Sequence, residues 1–169
     1  NNLSHNTLVL NDHLQDPMAK TTASRTRLVG PSQFSIMDLG AAYRRDVESL
    51  QRGVALISDC SVLVQDEVVW SATNERRDLR WQLMTDADIS LDGRDATLTK
   101  AGQVFYARIL SPCGARFEVN TACRNAPENP NRGFRQLIIK HPERGIETRI
   151  AVLLSTKPAL VEIVPLRSW

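Results

Sequence analysis

Aromatic side chains are scarce, 5% of 169 residues, so few rings are left over to serve as exposed stacking platforms for sugars or bases. No apolar run approaches the length of a membrane-crossing helix, which excludes a helical span. Cys60, Cys113 and Cys123 are an odd number without metal-type spacing. They exclude a disulfide framework and lead us to expect reduced, buried thiols, with Cys113 to Cys123 the one pairing a loop would allow. The only histidines are His5, His13 and His141, and none form an H-x-H or H-x-x-x-H pair, so the chain cannot assemble a histidine-rich zinc site by itself. A surplus of one charge is missing too. With 21 basic against 19 acidic residues the net charge is +2, which excludes a protein whose main business is gripping nucleic acid.

What is present is a 42% hydrophobic composition, enough for one sizeable core, and a single domain over residues 1–169 is expected. The chain opens without Met on what reads as a strand, so a portion of a longer protein is also expected. The first ten residues show neither a basic leader nor a small-residue cleavage site. Lysine occurs only at Lys20, Lys100, Lys140 and Lys157, so most of the positive charge is arginine. The planar guanidinium fork suits carboxylates and sulfates, which fits an anionic ligand; arginines spread over a solvated β surface give the same count.

Residues 81–91 alternate apolar or neutral side chains (Trp81, Leu83, Thr85, Ala87, Ile89, Leu91) with mostly polar ones, the period of a half-buried strand. Asp92-Gly93 reverses the chain, residues 96–99 extend it again, Ala101-Gly102 breaks it, and residues 104–110 form a third strand ending at Ser111-Pro112. Further strands are expected at 6–10, 24–29 (closed by Gly30-Pro31), 33–37, 68–70, 117–119, 136–140, 147–154 and 160–166. A hairpin turning at Ser58-Asp59-Cys60 joins strands 53–57 and 61–65. Residues 38–43 read as a turn before a strand, with a short helix as the alternative. The prolines and asparagines of ACRNAPENPNRG mark a long loop, and residues 141–145 a break. Many short strands with hardly any helix predict an all-β, antiparallel multi-strand sandwich.

Three stretches carry more than fold. His5, in SHNT ahead of the first strand, is of the type that ligates a metal or meets an anionic sugar, and equally of the type that makes structural hydrogen bonds. Tyr43 and Tyr106 are the only phenols able to act as acid or base; both sit in apolar patterning and read as core or rim. Arg76, Arg77, Arg80, Arg132 and Arg135 are candidate substrate-binding residues if the loops holding them converge.

At these residues the chain resembles the C-terminal region of the heparinase II/III-like polysaccharide lyases. The resemblance is carried by SHNTLVL, DLGAAY, QRGVALI, VLVQDEV and the run W-x3-T-x-A-x-I from Trp81. ATLTKAG, ILSP, the N-P-N-x-G-F turn ending at Phe134, and RIAVLL continue it, in order, over nearly the whole chain. It implies a β-sandwich that follows an N-terminal helical toroid, in an enzyme that cleaves acidic, uronate-containing polysaccharide by β-elimination. It also implies that the catalytic groups lie outside this chain, in the toroid and in an upstream H-x-H. Neither Tyr43 nor Tyr106 matches the family's tyrosine, so no catalytic residue is assigned here. His5 matches the histidine that ligates a structural zinc in the family, with partner ligands outside this chain. Met84-Thr85 departs from the His-Thr that relatives often show. A secreted or periplasmic location follows from the resemblance alone.

Three function classes remain in view: the sandwich of a glycosaminoglycan-type lyase, with alginate as a variant substrate; a non-catalytic carbohydrate-binding or structural sandwich; and a zinc-dependent hydrolase, for which ligands are too few. The expected partners are an acidic polysaccharide and the toroid. An uncovered apolar face would also allow self-association.

Overall fold

A strand that is apolar on one side needs a facing layer, and the computed structural model, which describes residues 2–30, 32–142 and 145–169, supplies two. Among the described residues, twelve strands follow in chain order: β1 (Leu8–Leu10), β2 (Thr22–Arg27), β3 (Gln33–Asp38), β4 (Val47–Ser58), β5 (Ser61–Trp70), β6 (Asp78–Thr85), β7 (Asp88–Asp92), β8 (Asp95–Lys100), β9 (Gln103–Ser111), β10 (Phe117–Thr121), β11 (Arg135–Pro142) and β12 (Glu147–Ser155). A small sheet has the order β1-β6-β11-β10 and a large one the order β2-β3-β4-β5-β12-β9-β8-β7. The fold is therefore the expected antiparallel β-sandwich. Pro31, Glu143 and Arg144, which belong to the expected turn and break, and the side chain of His141 lie outside the described residues.

Between the layers, Leu8, Leu10, Leu79, Trp81, Leu137 and Ile139 of the small sheet meet Leu50, Val68, Trp70, Ile109, Ile150 and Val152 of the large one. Trp70 is fully buried and satisfies its indole N–H on Thr148 Oγ1 at 2.8 Å. One charged pair sits in the same layer. Arg52 and Asp66 stand opposite each other on β4 and β5, with Arg52 Nε and Nη2 donating to the two carboxylate oxygens at 2.7 and 2.9 Å. Asp66 is 0% exposed and Arg52 8%. Burial opposes the charge on Arg52, but Asp66 outweighs it and the guanidinium pKa lies above its ordinary value. The remaining fork nitrogen, Nη1, reaches Asn6 O at 2.8 Å and so ties the large sheet to the segment before β1.

Several expectations change. Residues 81–91 are not one strand: β6 belongs to the small sheet and β7 to the large one, and the chain crosses between layers at Asp86-Ala87. Thr85 Oγ1 accepts the Ala87 amide at 3.0 Å at the crossing, and Arg135 Nη2 donates to Ala87 O at 2.9 Å. No glycine or proline marks the step, so alternation runs straight through it. The three consecutive strands read at 81–110 are therefore an antiparallel meander of β7, β8 and β9, with β6 in the other layer. Residues 38–43 resolve as a 3-10 turn at Gly40–Tyr43. Cys60, Cys113 and Cys123 are free thiols, but none is buried as expected: Cys60 is half-buried in the turn between β4 and β5, and Cys113 and Cys123 are exposed in loops off the strands.

Residues 160–166 alternate in burial yet join no sheet. Both edges of β12 are already taken by β5 and β9, so the tail crosses the outer face of the large sheet instead. Gln65 Nε2 donates to Val164 O at 2.9 Å, and Glu67 Oε1 accepts Leu166 N at 3.0 Å and Arg149 Nε at 2.9 Å. Leu166 and Trp169 then close a second small core over Phe34, Ile36 and Ala55. Trp169, which the sequence leaves uninformative, meets Phe34 edge to face at 6.0 Å. Beneath the tail lies Gly53, where a Cβ would come within 2.3 Å of Leu166 Cδ2 and 2.7 Å of the Trp169 ring.

Two outcomes follow. Gly53→Val lifts the tail and destabilises the chain by about 1–3 kcal/mol in urea denaturation, with a red-shifted tryptophan emission. Asp66→Ala leaves a buried guanidinium uncompensated and costs about 3–5 kcal/mol in the same assay. A cost no greater than that of an exposed pair would show that Arg52 finds water in its place.

Candidate functional site

Of the residues singled out for chemistry, His5, Arg76 and Arg80 lie along the outer face of the small sheet, at its two ends. Side chains on β6 alternate, so Leu79 and Trp81 enter the core while Arg80, Gln82 and Met84 point outward. At the Met84 end the face is roofed by the N-terminal segment, whose residues Asn2–Ser4 form a 3-10 turn. The roof is held by its backbone oxygens. Gln82 Nε2 donates to Asn2 O at 2.6 Å and to His5 O at 2.8 Å, and Leu3 O accepts Gln136 Nε2 at 2.7 Å and Arg124 Nη2 at 2.8 Å. Arg52 holds Asn6 O from the interior. Met84 N donates to Asn6 Oδ1 at 2.7 Å. These bonds account for the burial of Gln82 and Gln136, which are only 1% and 2% exposed.

His5 lies on this pinned segment, exposed, in a bend three residues ahead of β1 rather than on a strand. Among the described residues no three of His, Cys, Asp and Glu come together in a way that would hold a metal. His5 can supply one of the four ligands a zinc site takes and no more, so no step is routed through a metal here. Tyr43 is a structural anchor: its hydroxyl donates to Leu8 O at 2.7 Å, accepts from Gln15 Nε2 at 2.8 Å and stands 3.0 Å from Thr7 Oγ1. Burial raises its pKa against the opposing bonds from Thr7 and Gln15, so it is not a base at neutral pH. Tyr106 is half-buried on β9. Trp70 and Trp81 lie in the core and offer no stacking platform.

The other end of the face holds a cavity of about 420 Å³ lined by Val9, Asp12, Arg76, Asp78, Arg80 and Lys140, among others. Pairing places Val9 opposite Arg80, and Arg80 opposite Lys140. Arg76 joins them from the approach to β6, donating from Nε to Asp78 Oδ2 at 2.5 Å and from Nη2 to Asp12 Oδ2 at 3.0 Å. Asp78 and Asp12 hold its pKa above the ordinary value, so the group is a permanent cation.

Of the five arginines, then, only Arg76 and Arg80 share a site. Arg77 turns away to Gly145 O at 3.2 Å. Arg135, at the far end of β11, pairs with Asp88 Oδ1 at 2.8 Å. Arg132 is exposed in the long loop. Sequence reasoning missed Lys140 and Asp12. Lys140 becomes a neighbour of Arg80 only once the register of β6 and β11 is known, and Asp12 reads as a turn residue of the wrong sign for an anion site.

Neither a family model nor a curated protein sequence matches the chain. Solved structures do. The chain superposes on the heparan sulfate lyase HepC from Pedobacter heparinus with a TM-score of 0.68 at 14% identity, covering 90% of this chain and 24% of that one. A heparinase III gives a TM-score of 0.68 at 13% identity with the same coverage, and another heparinase III gives 0.67 at 10%, covering 89% and 23%. At such identities the likeness is one of fold, and the chain spans about a quarter of the length of the enzymes it matches: it has the fold of the corresponding β-sandwich portion of heparan sulfate lyase structures.

Proposed function

We propose that this chain is the β-sandwich portion of a longer polysaccharide lyase, contributing a cleft wall to a site whose catalytic residues lie elsewhere. The observation that supports it most is the fold shared over 90% of the chain with heparan sulfate lyases about four times as long, a ratio given by the 24% coverage. In this reading the substrate is an acidic, uronate-containing polysaccharide, met by the basic end of the small-sheet face, and the protein works outside the cytoplasm, secreted or periplasmic. β-Elimination removes the weakly acidic proton beside a uronate carboxylate. It therefore needs both neutralisation of that carboxylate and a base within reach. Tyr43, buried and hydrogen-bonded, is neither, which is in keeping with catalysis supplied by another part of the protein.

His5 enters this reading as one ligand of a zinc completed by residues from outside the chain, and its presentation on a pinned, exposed bend suits that role. No helix among the described residues is long and apolar enough to cross a membrane.

On heparan sulfate, the full-length gene product is expected to release unsaturated uronate, read by its ultraviolet absorbance, while the 169-residue chain alone releases none. Robust turnover by the isolated chain would sink the assignment of catalysis elsewhere, and a gene encoding no further domain would sink the lyase reading. His5→Ala is expected to lower the zinc content of the full-length protein, measured by plasma emission on the purified product. An unchanged metal content removes His5 from the site.

A further inference from the structure

Arg80 and Lys140 stand directly opposite each other on neighbouring antiparallel strands. Like charges in that position repel, a cost the sheet avoids unless something negative lies between or above them. Each is met by an acid from outside the pair: Glu118 Oε2 at 2.8 Å from Lys140 Nζ, and Asp12 Oδ1 at 3.4 Å from Arg80 Nη1. Asp12 spans two guanidinium groups, offering Oδ1 to Arg80 and Oδ2 to Arg76 at 3.0 Å. That is the way a ligand's carboxylate or sulfate engages an arginine pair. The bond to Arg80 is long, and Arg80 Nε is buried with no hydrogen-bond partner among the described residues, so the fork is under-filled.

Asp12 is also built to leave. Its side chain is 64% exposed, and ion pairs at that exposure are weak. It sits on a turn in which two consecutive non-glycine residues, Asn11 and Asp12, have φ of 50° and 60°. Asn11 is fixed by its side chain, which donates to Asp46 Oδ1 at 2.7 Å and accepts Asp78 N at 2.9 Å. The turn is therefore held from the Asn11 side, so the Asp12 carboxylate can exchange its two exposed ion pairs without loss of the turn.

We propose that Asp12 is an internal stand-in for an anionic sugar group, and that a carboxylate or sulfate of an acidic polysaccharide displaces it to bind Arg76, Arg80 and Lys140. The inference rests on the acidic-polysaccharide reading above and adds to it a subsite and an exchange. Because the stand-in competes with the ligand, removing its charge strengthens binding, whereas a purely structural Asp12 would leave binding unchanged or weaken it. Asparagine tolerates the left-handed conformation, so Asp12→Asn preserves the turn.

The test is isothermal titration of the 169-residue chain with a size-defined heparan sulfate oligosaccharide at low salt, with folding of each variant checked by circular dichroism. Asp12→Asn is expected to tighten binding about three- to tenfold. Arg76→Gln, at a position 59% exposed, is expected to weaken it, by about fivefold or more. If the wild type binds and Asp12→Asn binds no more tightly, or Arg76→Gln no more weakly, the stand-in idea is overturned while the polysaccharide reading survives. If neither wild type nor Asp12→Asn binds the oligosaccharide, both are overturned.

Discussion

The fork of Arg52 on Asp66 is the constraint on which the rest of this sandwich turns. A charged pair enters a dry layer only if every donor and acceptor is met, and here two fork nitrogens meet the two oxygens of a fully buried carboxylate. The third nitrogen, on Asn6 O, converts a local pair into a bridge between layers. A hydrophobic pair of similar volume would fill the space but would leave the segment ahead of β1 without its interior anchor. The pair therefore fixes where His5 and its neighbours stand, and the glutamine cradle on the small sheet completes the placement from the other side.

Both outer faces of the sandwich are finished by chain ends rather than by further sheets. The N-terminal segment roofs the Met84 end of the small sheet, and the C-terminal tail roofs part of the large one over Gly53 and Phe34. In each case the covering segment has no strand neighbour to satisfy its backbone, so amide and carboxylate side chains do it: buried Gln82 and Gln136 on one face, buried Gln65 and half-buried Glu67 on the other. What remains uncovered on the small sheet is the end where Arg76, Arg80 and Lys140 gather, each met by exposed carboxylates rather than by a covering segment.

Much of the fold is legible in the sequence, because a period of two and turn pairs such as Asp92-Gly93 and Ala101-Gly102 are local properties. Gly93 and Gly102 take the positive φ those turns require, at 61° and 77°. The failures come where a local pattern has two physical causes. Alternation at 160–166 records packing across a face, not pairing in a ladder. Alternation at 81–91 persists across a change of sheet because Asp86-Ala87 bends without any residue specialised for bending. The site is less legible than the fold. Arg76 and Arg80 are close in sequence and stay together, whereas Arg80 and Lys140 meet only through a strand register, and Arg135 is drawn off to brace the crossing at Ala87. Arg52 hides within QRGVALI, where nothing local distinguishes a buried fork from a solvated one.

At the far edge of the large sheet, β2 is exposed along its whole length and has a strand neighbour, β3, on one side alone. An open edge of this kind is a template for any passing strand. Here the strand reads TASRTR, carries a register irregularity between Ala23 and Arg25, and stacks Arg25 and Arg27 on Phe34 at 5.5 and 4.9 Å. Charge and a local kink are two means by which sheets refuse further strands. The same arginines that finish a small aromatic core thus act as an end-stop against fibre growth, so the sheet can stay wide without becoming sticky.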